Sequence, residues 1–401
     1  MVREIAISVY LVIFRIMFSM LKLFPQRDKT TFVASFGDNV HYVAKELQKY
    51  NYGQLVILQE SNCRTDFTEL SNNNTVILDF ETFNLVHFIK GIYHLATSKV
   101  VFVDNYFGFL SAVDFKENVT CVQLWHAAGA IKQFGLKDPS IHSRSDLAVK
   151  RFKKVYQRFH YVVVGSEKMA SIFRKSFGLG NENILRTGVP RTDFFFETEK
   201  HKLIIQGLEQ QYPILKNKKV LLYAPTFRDG KLNSFELALN LEKLYQELKS
   251  EYVILLRLHP AIKSRFNNAY SDFVIDVSSY EKLHDLLLVT DYVITDYSSI
   301  PFEFSLLGKP MIFFTYDLED YKSLRGFYAD YEANLPGPMV KTTEEIIRLI
   351  QNNDFDLDLI EEFASQWNEY SQGHSSETLI KTIYQKQVQL DEAIKRKRPS
   401  Y

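Results

Sequence analysis

The chain has 401 residues, 46% hydrophobic and 24% charged, which supports large cores and excludes a disordered protein. Its length is about that of two ordinary domains, and its 48 basic residues balance 48 acidic ones, which removes any global electrostatic case for a nucleic-acid partner. Its two cysteines, Cys63 and Cys121, lie far apart without metal-type spacing, so no disulfide framework is expected and a reducing compartment fits.

The first element is the run MVREIAISVYLVIFRIMFSMLKLF. At about 100° per residue, Glu4, Ser8, Arg15, Ser19, Lys22 and Gln26 fall within roughly 60° of one another, and the remaining face is apolar. A secretory signal needs an uninterrupted apolar region and a small-residue cleavage site, and neither is present. Arg15 near the centre argues against a spanning helix. The pattern predicts an amphipathic helix over residues 1–26 lying in the plane of an anionic membrane surface, with Arg15 and Lys22 at headgroup level. The alternative is a core helix of a soluble fold.

From residue 31 the chain alternates. TFVASF, LVILQ, TVILD, KVVFVD, CVQLW and YVVVG read as strands, with helical periodicity over 39–49, 83–97 and 146–158. After a strandless break near 194–216 the alternation restarts with KVLLYAPT, YVILLRLHP, FVIDV, DYVITDYSS and PMIFFTY, and with helices near 236–249, 281–289 and 301–307. The expectation is an α/β protein of two Rossmann-like, doubly wound domains, 27–205 and 206–401, facing a central cleft, with ligands at the carboxyl ends of the strands.

Polar residues gather where strands run out. His126 follows CVQLW, and Thr226, Arg228 and Asp229 follow KVLLYAP. Arg257, His259 and Pro260 follow YVILL, and Asp296, Ser298, Ser299 and Glu303 sit where DYVIT meets a helix with Pro301 in its first turn. That helix start is read as an anion site, with the serines as hydroxyl donors and Arg228 and Arg257 nearby, while Glu303 reaches a ribose hydroxyl. The competing reading is an ordinary capped helix. For phosphoryl transfer from a pyrophosphate, one group takes a proton from the attacking hydroxyl and another stabilises the departing phosphate. His126 and His259 are the candidates. No Walker loop or GxGxxG fingerprint occurs. Asp354, Asp356 and Asp358 read as a loop opening a helix, so no metal and no cofactor are expected.

WHAAGAIKQFG, TGVPRTD, YAPTFRD, RLHP and TDYSSIPFEFSLLGKPMIFF, in order over residues 122–314, together resemble the CDP-glycerol glycerophosphotransferase family of teichoic acid synthesis. The resemblance implies a GT-B fold. It also implies transfer of glycerol phosphate from CDP-glycerol, the substrate, to an undecaprenyl pyrophosphate-linked disaccharide at the cytoplasmic face of the membrane, releasing CMP. By motif, His126 is then the base and His259 the group helping CMP leave. Arg191, Thr226, Arg228, Arg257, Asp296, Ser298, Ser299 and Glu303 form the donor set, and Trp125, Ala127, Ala128, Gly129, Gly188 and Pro190 the acceptor or interdomain loops, with the small residues leaving room for substrate. The WHAAGAIKQFG form resembles the glycerol-phosphate primases, and the longer amino-terminal region usual in polymerases is missing. Alternatives are a chain-extending glycerol- or ribitol-phosphate transferase, a nucleotide-sugar glycosyltransferase and a non-catalytic assembly factor. The oligomeric state stays open, a homo-oligomer included.

Overall fold

The computed structural model describes residues 2–50, 52–80, 83–228, 237–259, 262, 268–328 and 331–397. It divides into two compact units, unit 1 formed by 1–128, 134–193 and 369–401 and unit 2 by 129–133 and 194–368.

Unit 1 holds a sheet of β1 (Lys29–Ala34), β2 (Gln54–Gln59), β3 (Thr75–Asp79), β4 (Val100–Val103), β5 (Thr120–Gln123), β6 (Tyr161–Val163) and β7 (Ile184–Leu185). Its order is β3-β2-β1-β4-β5-β6-β7, with every pairing parallel. Strands β1, β4 and β5 are buried at every position, as β-branched and aromatic runs are when both faces of a sheet are covered. The order reverses between β1 and β4, the switch point at which such sheets bind ligands.

Unit 2 repeats the scheme with β8 (Lys219–Ala224), β9 (Tyr252–Leu256), β10 (Val274–Asp276), β11 (Tyr292–Thr295), β12 (Met311–Phe314) and β13 (Met339–Val340). These are parallel in the order β10-β9-β8-β11-β12-β13, with the switch between β8 and β11.

The unit boundary differs from the one read in the sequence at 205/206. Apart from the short segment 129–133, the chain enters unit 2 at Phe194 and returns to unit 1 at Glu369. The cause is the helix Ser375–Lys397, which carries Leu379, Ile380 and Ile383 into the core built on Phe32, Val40 and Phe102. The Asp193 carboxylate accepts the N–H groups of Ser375 and Ser376, both at 2.8 Å, and so caps that helix from a distant part of the chain.

The amino-terminal helix spans Val2–Leu21 and buries Phe14 and Phe18. Phe14 stacks on Phe109 at 5.0 Å and meets Phe88 edge-on at 5.9 Å. Its polar stripe runs along one flank, with Ser8, Arg15 and Ser19 exposed and charged residues near its two ends paired to the rest of unit 1. Arg151 donates to the Glu4 carboxylate at 3.2 and 3.3 Å, and Lys22, placed at headgroup level by the sequence, pairs with Asp114 at 3.2 Å. The apolar side away from Phe14 and Phe18 is exposed, with Ile5 58%, Ile16 55% and Met20 64% accessible. The adjoining helix Leu85–Thr97 leaves Leu85, Val86 and Ile89 exposed as well. A core helix would bury those side chains, so that alternative fails.

Candidate active site

In unit 1 the switch point is organised by Asp104, the buried residue that follows β4. Its carboxylate accepts the N–H groups of Ser35 at 2.9 Å, Phe36 at 3.0 Å and Gly37 at 2.7 Å, fixing the turn after β1. Burial pushes its carboxyl up to about 6, against the opposing pull of those three bonds. Gly37 has φ +97°, and a Cβ there would lie 2.4 Å from Thr65 Oγ1.

His126 lies three residues past β5, and the chain reaches it through a strained step. Trp125 has φ +62°, a left-handed conformation costing on the order of 1–3 kcal/mol in a bulky residue. Side chains on either side hold the step. The Trp125 N–H donates to Gln123 Oε1 at 2.8 Å, and the Asn39 amide donates to the carbonyls of Leu124 at 3.2 Å and Trp125 at 2.8 Å. Asn39 Oδ1 accepts the Arg191 N–H at 2.9 Å. The Arg191 guanidinium donates to the His126 carbonyl at 2.9 Å and pairs with Asp38 at 3.0 Å.

The imidazole is thereby clamped between two aromatic rings, Phe36 at 4.1 Å and Trp125 at 4.2 Å. Its Nδ1 lies 3.3 Å from the Asp104 carbonyl. A carbonyl only accepts, so this contact assigns the proton to Nδ1 and leaves the lone pair on Nε2. Burial pushes the ring's pKa down to about 4, with the Asp104 contact opposing and Arg191 assisting. At neutral pH it is an uncharged base presented by its edge.

The small residues after His126, expected to leave room for substrate, are closely packed. Ala127, Ala128 and Ala130 are buried, and a Cβ on Gly129 would come within 2.6 Å of the Phe302 ring. Their size serves close packing. In the segment 187–193, Gly188 has φ +82°, and a Cβ there would lie 2.4 Å from the Tyr370 carbonyl. Pro190 opens the 3-10 turn that ends at Phe196. Arg191, expected in the donor set, instead ties the His126 turn to Asp38.

In unit 2, Thr226, Arg228 and Asp296 meet at the ends of β8 and β11. The sequence offered Arg228 to a phosphate, but all five of its N–H groups are engaged. Nε and Nη2 donate to Asp317 at 2.6 and 2.9 Å, Nη2 to Asp296 at 2.9 Å, and Nη1 to the Thr226 carbonyl and hydroxyl, both at 2.8 Å. Burial works against the cation, yet Asp317 and Asp296 outweigh it and raise its pKa. Arg228 is a tie between strand ends, able to bind an anion only by releasing one of these bonds. Asp296 also accepts the Thr226 N–H at 2.9 Å, and burial raises its pKa despite Arg228.

Glu303, expected at a ribose, is buried and 3.1 Å from Nε2 of the buried His284. The helix Ile300–Phe304 is a little over one turn long. Ser298 Oγ is 2.8 Å from Thr295 Oγ1 and accepts the Ile300 N–H at 3.3 Å, whereas Ser299 is exposed and caps nothing with its side chain. The Arg257 guanidinium donates to the carbonyls of Tyr280 and Glu281. His259 is exposed, with its ring 4.5 Å from Phe227. Asp229 and Pro260 lie outside the described residues. Asp356 caps the helix Leu357–Trp367 by accepting the Leu359 N–H at 3.1 Å, as a loop opening a helix should.

Sequence reasoning missed Asn39, Asp104 and Asp317. Asp104 ends the run KVVFVD, so the strand-end signal that found His126 was present there too. Asn39 acts through a backbone contact far along the chain and has no local signature.

The family described as CDP-Glycerol:Poly(glycerophosphate) glycerophosphotransferase matches residues 16–385. Over 384 residues the chain is 38% identical to the teichoic acid glycerol-phosphate primase of Bacillus subtilis (strain 168), covering 95% of this chain and 98% of that protein. It is 41% identical over 303 residues to the teichoic acid poly(ribitol-phosphate) polymerase of Bacillus spizizenii, covering 73% of this chain and 47% of that one. A variant of the wall teichoic acid polymerase TagF, soaked with CDPG, superposes with a TM-score of 0.77 at 25% identity, covering 98% of this chain and 99% of that one. With its paired parallel sheets and these relatives, the chain belongs to the CDP-glycerol:poly(glycerophosphate) glycerophosphotransferase family.

Proposed function

We propose that this chain transfers glycerol phosphate from CDP-glycerol to a hydroxyl of an undecaprenyl pyrophosphate-linked disaccharide at the cytoplasmic face of the membrane, releasing CMP, as a priming step of teichoic acid synthesis. The observation that carries the proposal is His126, a neutral base with its proton parked on Nδ1, at the switch point of a family member. Nε2 takes the acceptor's proton as that oxygen attacks the phosphorus, and the bond to CMP breaks. His259 assists the departing phosphate, with Ser299, Ser298 and Arg257 as further donor contacts, while Thr226, Arg228 and Asp296 hold the loops that carry them. The GT-B assignment belongs to the same reading, supported by two doubly wound units of one strand order. Priming is favoured by the end-to-end match to the primase. The higher identity to a ribitol-phosphate polymerase over a shorter stretch keeps ribitol phosphate as the second donor to test.

The membrane part of the proposal rests on the exposed apolar side of Val2–Leu21. The test is incubation with CDP-glycerol, CDP-ribitol or a nucleotide sugar and a short-chain lipid-linked disaccharide, followed by product analysis. CMP release with a single added glycerol phosphate is expected. A ladder of products marks a chain extender, and turnover only with a nucleotide sugar overturns the reading. Since the proposed steps use side chains alone, turnover is expected to survive a chelator. Loss restored by a divalent cation would place a metal in the mechanism.

A further inference from the structure

Away from both strand-end sites, the amino-terminal helix borders a recess of 430 Å³ whose lining includes Arg15, Ser19, Ser111, Asp114, Lys154 and Arg158. Its charge is one-sided. Three cations face a single carboxylate, and Asp114 is already shared between Lys22 at 3.2 Å and Arg158 at 3.8 Å. Among the described residues, Arg15 and Lys154 have no ion-pair partner, and Arg158 Nε is buried without a hydrogen bond. Away from the recess the same stripe matches its charge, Glu4 with Arg151, whereas Lys22 adds a further cation around Asp114. The cationic surplus is therefore local, and a buried guanidinium N–H left unbonded is costly unless an anion meets it.

Position adds a second argument. Arg15 and Ser19 lie one turn apart, and the neighbouring Val12 and Ile16 belong to the exposed apolar side of the helix. The recess therefore sits at the border between an apolar surface and a basic one, where a bilayer presents its phosphates. Guanidinium groups suit phosphate oxygens, and Ser19 adds a hydroxyl.

We infer that this recess binds the phosphodiester headgroup of an anionic phospholipid, with Arg15, Lys154 and Arg158 as its charge partners. The inference rests on the reading that the apolar side of the helix lies on the membrane. Free inorganic phosphate shares the chemistry, but only a lipid brings it to the edge of an apolar face.

Sedimentation of the full chain with phosphatidylcholine vesicles, with and without phosphatidylglycerol, tests this. The triple variant R15Q/K154Q/R158Q is expected to lose at least about tenfold in affinity for the anionic vesicles, since each cation at a surface contributes severalfold. A control of equal charge, K45Q/K175Q/K381Q, is expected to stay within about twofold. Equal losses overturn the site in favour of diffuse attraction. D114N removes the competing carboxylate and is expected to tighten binding to the anionic vesicles but not to the neutral ones, whereas misfolding would raise both; no selective gain counts against the recess. Millimolar inorganic phosphate is expected to leave vesicle binding unchanged, and competition by it overturns the lipid assignment. Neutral vesicles report the apolar face alone. If the unaltered chain ignores them, the membrane reading falls; if it binds them but shows no phosphatidylglycerol preference, only the recess falls.

Discussion

His126 has both faces covered, and this decides which chemistry it offers. Stacked between Phe36 and Trp125, the ring presents one nitrogen at its edge, and the Asp104 carbonyl dictates which one. His126→Ala is expected to lower the transfer rate by about 10²–10⁴, the usual range for a general base, while donor affinity by calorimetry changes little. Near-normal turnover in a folded variant would remove this residue from the mechanism. The same geometry sets the pH dependence. A protonated ring cannot accept a proton, so activity is lost as pH falls through the pKa of His126, which burial has pushed down to about 4. The acidic limb of kcat/KM therefore belongs well below the ordinary histidine value of about 6.5. Phe36→Ala opens one face to water, and the limb should move up toward that value; an unmoved limb would show that another group controls it. His126 was legible in the sequence because a strand end followed by small residues is a local pattern. What holds it was not, because Asn39, Asp104 and Arg191 act from three other parts of the chain through backbone atoms.

Elements separate in the same way by range. The runs KVVFVD and YVILL appear as β4 and β9, because β-branched and aromatic residues in short blocks specify buried parallel strands. β7 and β13, two residues each, are too short for any periodicity and go unread. The helix Ser375–Lys397 is readable as a helix but not as a member of unit 1. Its cap, Asp193, lies 182 residues from Ser375. Asp193→Ala is expected to cost about 0.5–2 kcal/mol, the range for losing a capping side chain, read as a lower melting temperature. Because the carboxylate is buried and serves two N–H groups, the upper end is expected. A melting temperature equal to that of the unaltered chain would mean water replaces the cap.

For the molecule as a whole, the amino-terminal helix is folded against the rest of unit 1 through Phe14 and Phe18, with Glu4 and Lys22 paired at its flank. Deleting it would uncover Phe88 and Phe109, so the cleaner perturbation is V9S/I13S/I16S, which touches only exposed positions. This variant is expected to lose vesicle binding and activity on long-chain acceptors, and to keep activity on a short-chain acceptor. Unchanged sedimentation with vesicles would place the membrane contact elsewhere. The sequence located the amphipathic helix and its polar stripe, but which side meets the protein depends on Arg151 and Asp114, more than ninety residues away. The return of the chain to unit 1 bears on how the protein is made. A ribosome releases β1 to β7 long before it releases Leu379, Ile380 and Ile383, which complete their core. Throughout synthesis of unit 2, the first sheet waits with an apolar gap and with Asp193 capping nothing, so a nascent chain arrested before Glu369 should be a substrate for chaperones and proteases rather than a stable half-protein.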